Sequence, residues 1–180
     1  MRIISGKYRG MKLSEFQGSD IRPTADRVKE SLFNIISSEV SGASVLDLFC
    51  GSGGLGLECL SRGALFVHFN DISADSLCVL RKNISRFNGE NFRVTNLDYR
   101  ACLERLTEKF SLIFVDPPYR TEAGAGALEL IGAKEILKEN GIAVYERDRA
   151  FTGEAKGLEL FDERKYGITY LSFFRAANRA

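Results

Sequence analysis

The chain has little of what a metal site or a membrane anchor requires. It contains one histidine, and its four cysteines, Cys50, Cys59, Cys78 and Cys102, include no C-x-x-C pair. This argues against a zinc site and predicts reduced, mostly buried thiols. No apolar run approaches the roughly 20 residues of a membrane span, and charged residues and glycines interrupt the N-terminal stretch where a signal peptide would be apolar. We therefore expect a soluble cytoplasmic protein without a bound metal.

A proline turn with an acid and a tyrosine follows one of the apolar runs. Asp116-Pro117-Pro118-Tyr119 comes directly after residues 110–115. This pattern predicts a buried strand that ends at the crevice where open α/β sheets bind ligands. The prolines remove two backbone donors, so the turn offers acceptors to a planar amino group, and Tyr119 offers a ring for stacking. A plain strand end with a surface tyrosine would give the same pattern.

A second apolar run, 44–49, leads into a glycine-rich loop. Gly51, Gly53 and Gly56 fit the G-x-G-x-x-G template, in which glycines allow the backbone to approach a ligand closely. Asp71 lies 20 residues after Gly51, at the end of the next predicted strand, where a carboxylate can bind both hydroxyls of a ribose. These features predict an adenosine-containing cofactor.

Two further acids bear on the identity of that cofactor. The glycine pattern would serve NAD as well as S-adenosylmethionine, but Asp47, just ahead of the loop, suits an ammonium and a sulfonium better than a pyrophosphate. Asp47 could instead be a strand-end carboxylate held by loop NH groups. Asp98 could accept a hydrogen bond from the adenine amino group, cap the helix near Tyr99, or do both.

Positive charge is concentrated at the front of the chain. Residues 1–29 carry seven basic and three acidic side chains, a net charge of +4, so the remainder carries −3. Tyr8 and Phe16 interleave with these bases, and Gly6, Gly10 and Gly18 punctuate what reads as a short hairpin. Positive charge with aromatic faces predicts an RNA-binding surface, and an ordinary solvated hairpin is the alternative.

The remaining pattern alternates strands with helices. Strands are predicted near 44–49, 65–69, 92–95, 110–115 and 141–146, helices near 54–62, 74–88, 99–107 and 125–138, and Thr24 is predicted to cap a first helix with the apolar face Val28, Leu32, Ile35 and Ile36. This alternation predicts a doubly wound parallel sheet. Segments 158–163 and 168–175 predict a terminal antiparallel hairpin, and the Gly/Ala-rich stretch from Thr121 to Ala127 predicts a mobile loop beside the site.

Taken together, the blocks 1–10, 22–28, 32–34, 47–53, 116–119 and 166–169 resemble the RsmD family of bacterial, S-adenosylmethionine-dependent 16S ribosomal RNA guanine-N2 methyltransferases. The resemblance implies an α/β fold of the Rossmann-like class I methyltransferase type, with a seven-stranded, mostly parallel sheet and a terminal antiparallel hairpin. It also implies an N-terminal β-hairpin extension over residues 1–23 that contacts RNA, followed by the methyltransferase domain over 24–180. The chain departs from the usual family pattern at Cys50 and Cys59, which replace small residues such as alanine, and at Ser73, which replaces an acid.

The resemblance assigns roles to individual residues. The implied catalytic residues are Asp116, Pro117, Pro118 and Tyr119. The implied contacts to S-adenosylmethionine are Asp47, Phe49, Gly51, Ser52, Gly53, Asp71, Ile72, Asp98, Tyr99 and Asp116. The implied RNA contacts are Arg2, Lys7, Tyr8, Arg9, Lys12, Arg22, Thr24 and Arg27.

The expected reaction is in-line attack of guanine N2 on the cofactor methyl carbon, with Asp116 and the Pro117 carbonyl accepting the two N2 hydrogens. The resemblance implies a monomer that acts on 16S ribosomal RNA within the small subunit or an assembly intermediate. The alternatives are an amino-group methyltransferase acting on adenine in DNA or another RNA, and a Rossmann domain that binds NAD.

Overall fold

The computed structural model describes residues 1–15, 23–118 and 121–177, with the backbone alone for 23–25. The strands are β1 Ser44–Asp47, β2 Phe66–Asn70, β3 Phe92–Thr95, β4 Phe110–Val115, β5 Leu137–Arg147, β6 Leu158–Tyr166 and β7 Thr169–Ala176. The helices are α1 Pro23–Ile35, α2 Ser37–Val40, α3 Gly54–Ser61, α4 Ala74–Ile84, α5 Tyr99–Arg105 and α6 Ala123–Ala133. Among these residues, no helix is long and apolar enough to cross a membrane.

The seven strands form one sheet in the order β3-β2-β1-β4-β5-β7-β6. The pairs from β3 to β5 are parallel, whereas β7 runs antiparallel to both β5 and β6. The predicted mostly parallel sheet with a terminal hairpin is therefore confirmed. Since β1 lies between β2 and β4, the chain reverses its direction of winding at β1, and such a switch point opens a crevice at the carboxyl ends of the strands.

The central strands are buried on both faces, which explains their continuous apolar runs. In β1, Val45 packs into a core formed with α1, α3 and α4, whereas Leu46 packs into a second core formed with α5 and α6. Phe114 and Ile113 of β4 divide in the same way. Helices on both faces thus hold the strand ends in fixed positions.

Helix α1 corrects two predictions. Val28, Leu32 and Ile36 are buried as expected, but Ile35 is 38% exposed. The buried face is centred on Lys29, Leu32 and Phe33, so Ile35, the last residue of the helix, lies at its edge. The helix begins at Pro23, which suits a first helical position, so Thr24 lies inside the first turn instead of capping it; the Thr24 side chain is outside the described residues.

Helix α6 replaces most of the loop that was predicted over residues 121–127. It begins at Ala123 because its glycines lie against tyrosines: a Cβ at Gly124 would overlap the Tyr145 ring, and one at Gly126 would crowd the Tyr99 hydroxyl. Close packing against the tyrosines therefore explains why this helix contains glycines that are typical of a loop. Strand β5 begins earlier than predicted, at Leu137, because Leu137 already pairs with Phe110 of β4. Helices α4, α5 and α6 end sooner than predicted, and α2 was not predicted.

The N-terminal segment 1–13, hereafter the arm, folds back on itself. Its two limbs are joined by an antiparallel bridge between Arg2 and Lys12, and the Ile3 amide donates to the Met11 carbonyl at 2.9 Å. Ile3 and Leu13 are buried in the same core as α1 and α3. The described part of the arm is thus packed onto the sheet domain, and the boundary at residue 23 stays a prediction.

Candidate active site

A cavity of about 880 Å³ lies at the carboxyl ends of β1, β2 and β4, where the winding reverses. Of the predicted cofactor residues, the following line it: Asp47, Phe49, Gly51, Ser52, Asp71, Ile72, Asp98, Tyr99 and Asp116. Gly53 does not line the cavity. Its φ of 89° is one that glycine adopts freely, and a Cβ there would overlap Leu80, so Gly53 shapes the turn into α3.

Asp47 ends β1 as a buried acid, only 2% exposed. Its Oδ2 accepts a hydrogen bond of 2.9 Å from the Gly56 amide in the first turn of α3. Burial raises the pKa of Asp47 to about 7; the Gly56 amide opposes this shift and the nearby Asp71 adds to it. Asp47 is thus held by a backbone NH, as its alternative interpretation predicted, but the NH belongs to α3 and not to the loop. The residue also lines the cavity.

Asp71 connects the glycine loop to the start of α4. Its Oδ2 accepts from the Gly51 amide at 2.8 Å and its Oδ1 from the Ser73 amide at 2.8 Å. Ser73 caps α4, because its hydroxyl oxygen accepts from the Ser76 amide at 3.2 Å. The serine that departs from the family pattern thus has a structural role of its own.

Two buried asparagines that sequence reasoning missed hold the loops around the cavity. Asn70 Nδ2 donates to the carbonyls of Leu48 and Leu97, both at 3.1 Å, and so ties together the chain beyond β1, β2 and β3. Asn83 Nδ2 donates to the Ser52 carbonyl at 3.0 Å. The sequence signal for Asn83 was its position at helical spacing between Leu80 and Ile84, on the apolar face of α4.

Aromatic rings and Asp98 form another wall. The ring centroids of Phe49 and Tyr99 lie 5.6 Å apart, and the Arg100 guanidinium lies 4.5 Å from the Tyr99 ring centroid. Asp98 caps α5 by accepting from the Arg100 amide at 2.9 Å, and it also lines the cavity. Ile72, 68% exposed, lines it as well. The predicted capping role of Asp98 is confirmed, and its adenine contact stays a prediction.

The motif that was predicted to be catalytic lies at the end of β4. Asp116, Pro117 and Pro118 line the cavity, and Tyr119 is outside the described residues. Burial, the neighbouring Glu146 and Asp47 together raise the pKa of Asp116 well above its usual value. Glu146, which also lines the cavity, had no predicted role. It was detectable in the sequence as the acid that ends the predicted strand 141–146.

The predicted RNA contacts on the arm fall into two groups. Arg2, Arg9 and Lys12 are exposed, as is Arg27 on α1. Lys7 is exposed but paired with Glu90, with Nζ 2.7 Å from Oε1. The ring centroid of Tyr8 lies 4.2 Å from that of Phe87, and its hydroxyl donates to the same Glu90 oxygen at 2.9 Å. Arg22 and the side chain of Thr24 are outside the described residues.

Known proteins resemble the chain over most of its length. The family model described as Conserved hypothetical protein 95 matches residues 1–175. YlbH of Bacillus subtilis (strain 168), named as a candidate rRNA methyltransferase, is 35% identical over 97% of this chain and 98% of its own length. Ribosomal RNA small subunit methyltransferase D of Escherichia coli (strain K12) is 38% identical over 78% of this chain and 68% of that protein. The solved structure of yhhF from Escherichia coli, named as a candidate methyltransferase, matches with a TM-score of 0.87 at 31% identity and covers 99% of both chains.

Proposed function

Because the chain belongs to the RsmD family, we propose that it transfers the methyl group of S-adenosylmethionine to N2 of a guanine in 16S ribosomal RNA. Family membership makes the chain an rRNA methyltransferase. Our proposal adds three points to this activity: the cofactor, the guanine N2 acceptor and the small-subunit RNA. The observation that carries the proposal is the placement of Asp116 and Pro117 on the same cavity as Asp47 and the glycine loop.

The residues of the cavity fit S-adenosylmethionine. Asp47 is buried with a pKa near neutrality, so its carboxylate is stabilised by any cation that enters the cavity. The ammonium and the sulfonium of the cofactor are such cations. When bound, S-adenosylmethionine supplies a methyl group activated by the positive sulfur. A pyrophosphate would instead bring negative charge beside Asp47, which argues against NAD.

The adenosine half of the cofactor finds matching groups in the other part of the cavity. Asp71 is held in place by the Gly51 and Ser73 amides, and the lone pairs that remain on its oxygens can accept from ribose hydroxyls. Phe49 and Tyr99 provide aromatic surface for the adenine ring, and Asp98 can accept from its amino group. Both alternatives for Asp98 can hold at once, because capping uses Oδ1.

Asp116 and the Pro117 carbonyl would orient the acceptor nitrogen. The N2 lone pair of guanine is delocalised into the ring, so hydrogen bonds from its two protons to these acceptors increase electron density on nitrogen. In the reaction the N2–carbon bond forms, the sulfur–carbon bond breaks, and N2 loses one proton. A carboxylate with a raised pKa is a stronger base for that proton than an ordinary aspartate. Positioning and fixed dipoles then supply most of the remaining catalysis.

The basic residues of the arm and of α1 support an RNA substrate. Arg2, Arg9, Lys12 and Arg27 are exposed and can neutralise phosphates. Lys7 contributes less, because Glu90 already compensates its charge. A base must leave its stack to reach a cavity of this kind, so a guanine in an accessible loop is a suitable target.

The test is the transfer of labelled methyl from S-adenosylmethionine to small ribosomal subunits from cells that lack this protein, with naked 16S RNA and DNA in parallel. We expect N2-methylguanosine in the RNA when its nucleosides are analysed. Label on adenine or on DNA would keep the cavity argument and overturn the acceptor. Binding of S-adenosylhomocysteine without transfer to any of these substrates would overturn the proposed acceptor RNA.

A further inference from the structure

Lys29 is a buried basic residue in the wall of the cavity that the sequence patterns did not assign. Its side chain is 6% exposed. Among the described residues that line the cavity, only Lys29 and Arg100 have basic side chains. Arg100 lies over the Tyr99 ring, beside the residues proposed for adenosine. Of these two side chains, Lys29 is therefore the one beside the remaining part of the cavity.

Contacts place Lys29 beside α3. Its Nζ lies 3.3 Å from Oε2 of Glu58, which follows Gly54 by one helical turn, and it donates to the Arg2 carbonyl at 2.6 Å. The side chain of Met1, next to Arg2, occupies the space where a Cβ on Gly54 would be. The amide of Gly56, in the same turn, is held by Asp47. Lys29 and Asp47 thus each contact α3, and both line the cavity.

The Lys29 ammonium can still donate a hydrogen bond to an anion. Glu58 also accepts from the amides of Ile4 and Ser5, at 2.8 and 3.0 Å, and pairs with Arg62 at 2.8 Å. Glu58 is thus compensated without Lys29. An ammonium has three protons, and Arg2 and Glu58 are the two acceptors seen for it among the described residues. Burial is the largest influence on the Lys29 pKa and lowers it, although Glu58 and Asp26 act in the opposite direction.

We propose that Lys29 binds the α-carboxylate of the methionine half of S-adenosylmethionine, while Asp47, which lines the same cavity, holds the ammonium. The inference rests on the proposed function, because it assumes that this cofactor occupies the cavity. The head group carries an ammonium and a carboxylate, so it needs both an acidic and a basic side chain. The acidic residues that line the cavity can bind only the ammonium. The arm takes part through the Arg2 carbonyl, which fixes the position of Nζ.

The experiment compares two ligands that differ in this carboxylate alone. Calorimetry measures the dissociation constants of S-adenosylhomocysteine and of its decarboxylated analogue, which keeps the ammonium, for the wild type and for Lys29→Met. The wild type should bind S-adenosylhomocysteine roughly tenfold to a hundredfold more tightly than the analogue, as expected for a charge-assisted hydrogen bond. In Lys29→Met this ratio should fall to about one, because neither ligand can then form a hydrogen bond with the Lys29 ammonium.

Two variants separate binding from folding. Lys29→Arg keeps the charge and should retain most of the ratio. Arg62→Met removes the other basic partner of Glu58, which lies outside the cavity lining. It should lower the thermal unfolding temperature but leave the ratio as in the wild type. Equal affinities for the two ligands in the wild type, or an unchanged ratio in Lys29→Met, would overturn the role of Lys29. A wild type that binds neither ligand would overturn the cofactor assignment as well.

Discussion

The two ends of the cavity hold their acids in different ways. At the end proposed for adenosine, Asp71 accepts two backbone amides and Asp98 caps a helix. At the end proposed for methyl transfer, Asp116 lies near Glu146 and Asp47, and the pKa values of both aspartates are raised. The acids of the first end accept hydrogen bonds from backbone amides, whereas at the second end burial, Glu146 and Asp47 raise the pKa of Asp116.

This difference separates a binding function from a chemical one. Carboxylates held by backbone amides keep a fixed geometry, which suits recognition of a neutral ribose and adenine. Burial and neighbouring acids disfavour the charged forms of Asp47 and Asp116, so an incoming cation or amino group favours their ionised forms. Substitutions at the two ends should therefore differ in what they alter: turnover or the pH dependence of binding at the methyl-transfer end, and stability or pH-independent affinity at the adenosine end.

The largest effect is expected from Asp116→Ala. Without the carboxylate, the acceptor nitrogen loses both a hydrogen bond and a base, so the single-turnover rate of methyl transfer should fall by roughly 10²- to 10⁴-fold. Binding of S-adenosylhomocysteine, measured by calorimetry, should change little. Near-normal methylation by this variant would remove Asp116 from the mechanism.

Asp47→Asn should act mainly on cofactor affinity. Loss of the charge that faces the ammonium should weaken binding of S-adenosylhomocysteine by roughly tenfold to a hundredfold. Because the ligand needs the ionised form and the free pKa is about 7, wild-type affinity should increase as the pH rises from 6 to 8. Calorimetry across this range should give a flatter profile for Asp47→Asn, and parallel profiles would contradict the role of Asp47.

Glu146→Gln should move the pH dependence of the rate with a smaller change in its maximum. Glu146 raises the pKa of Asp116, so removing its charge should lower that pKa. Asp116 would then stay ionised to lower pH, and the acid limb of the single-turnover rate should shift toward lower pH than in the wild type. An acid limb that stays in place would show that another group controls it.

Asp98→Ala should give the smallest effect. Loss of the α5 cap should reduce the free energy of unfolding by about 1 kcal/mol, measured by denaturant titration. Asp98→Ser is the matched control, because its shorter side chain can still cap the helix. If Asp98 also contacts adenine, both variants should weaken S-adenosylhomocysteine binding by a few-fold, and an affinity unchanged in Asp98→Ser would leave only the cap.

Local patterns predicted much of the fold and part of the site. Strand runs, the glycine loop and the Asp116 turn depend on neighbours in sequence, so they could be placed before the structure was known. The start of α6 could not, because its glycines look like a loop until Tyr145 and Tyr99 are seen to pack on them. Ile35 was misassigned for a similar reason, since helical spacing defines a face but not its edges.

The sequence by itself determined the alternation of strands and helices, the acids at the strand ends and the basic charge of the arm, because these follow from residue order and type. Only the tertiary structure decided which of these groups meet. Glu146 acts on Asp116 because β5 pairs with β4, and Lys29 reaches the cavity because α1 packs beside α3. Such proximity arises from contacts between distant segments, which no local pattern specifies.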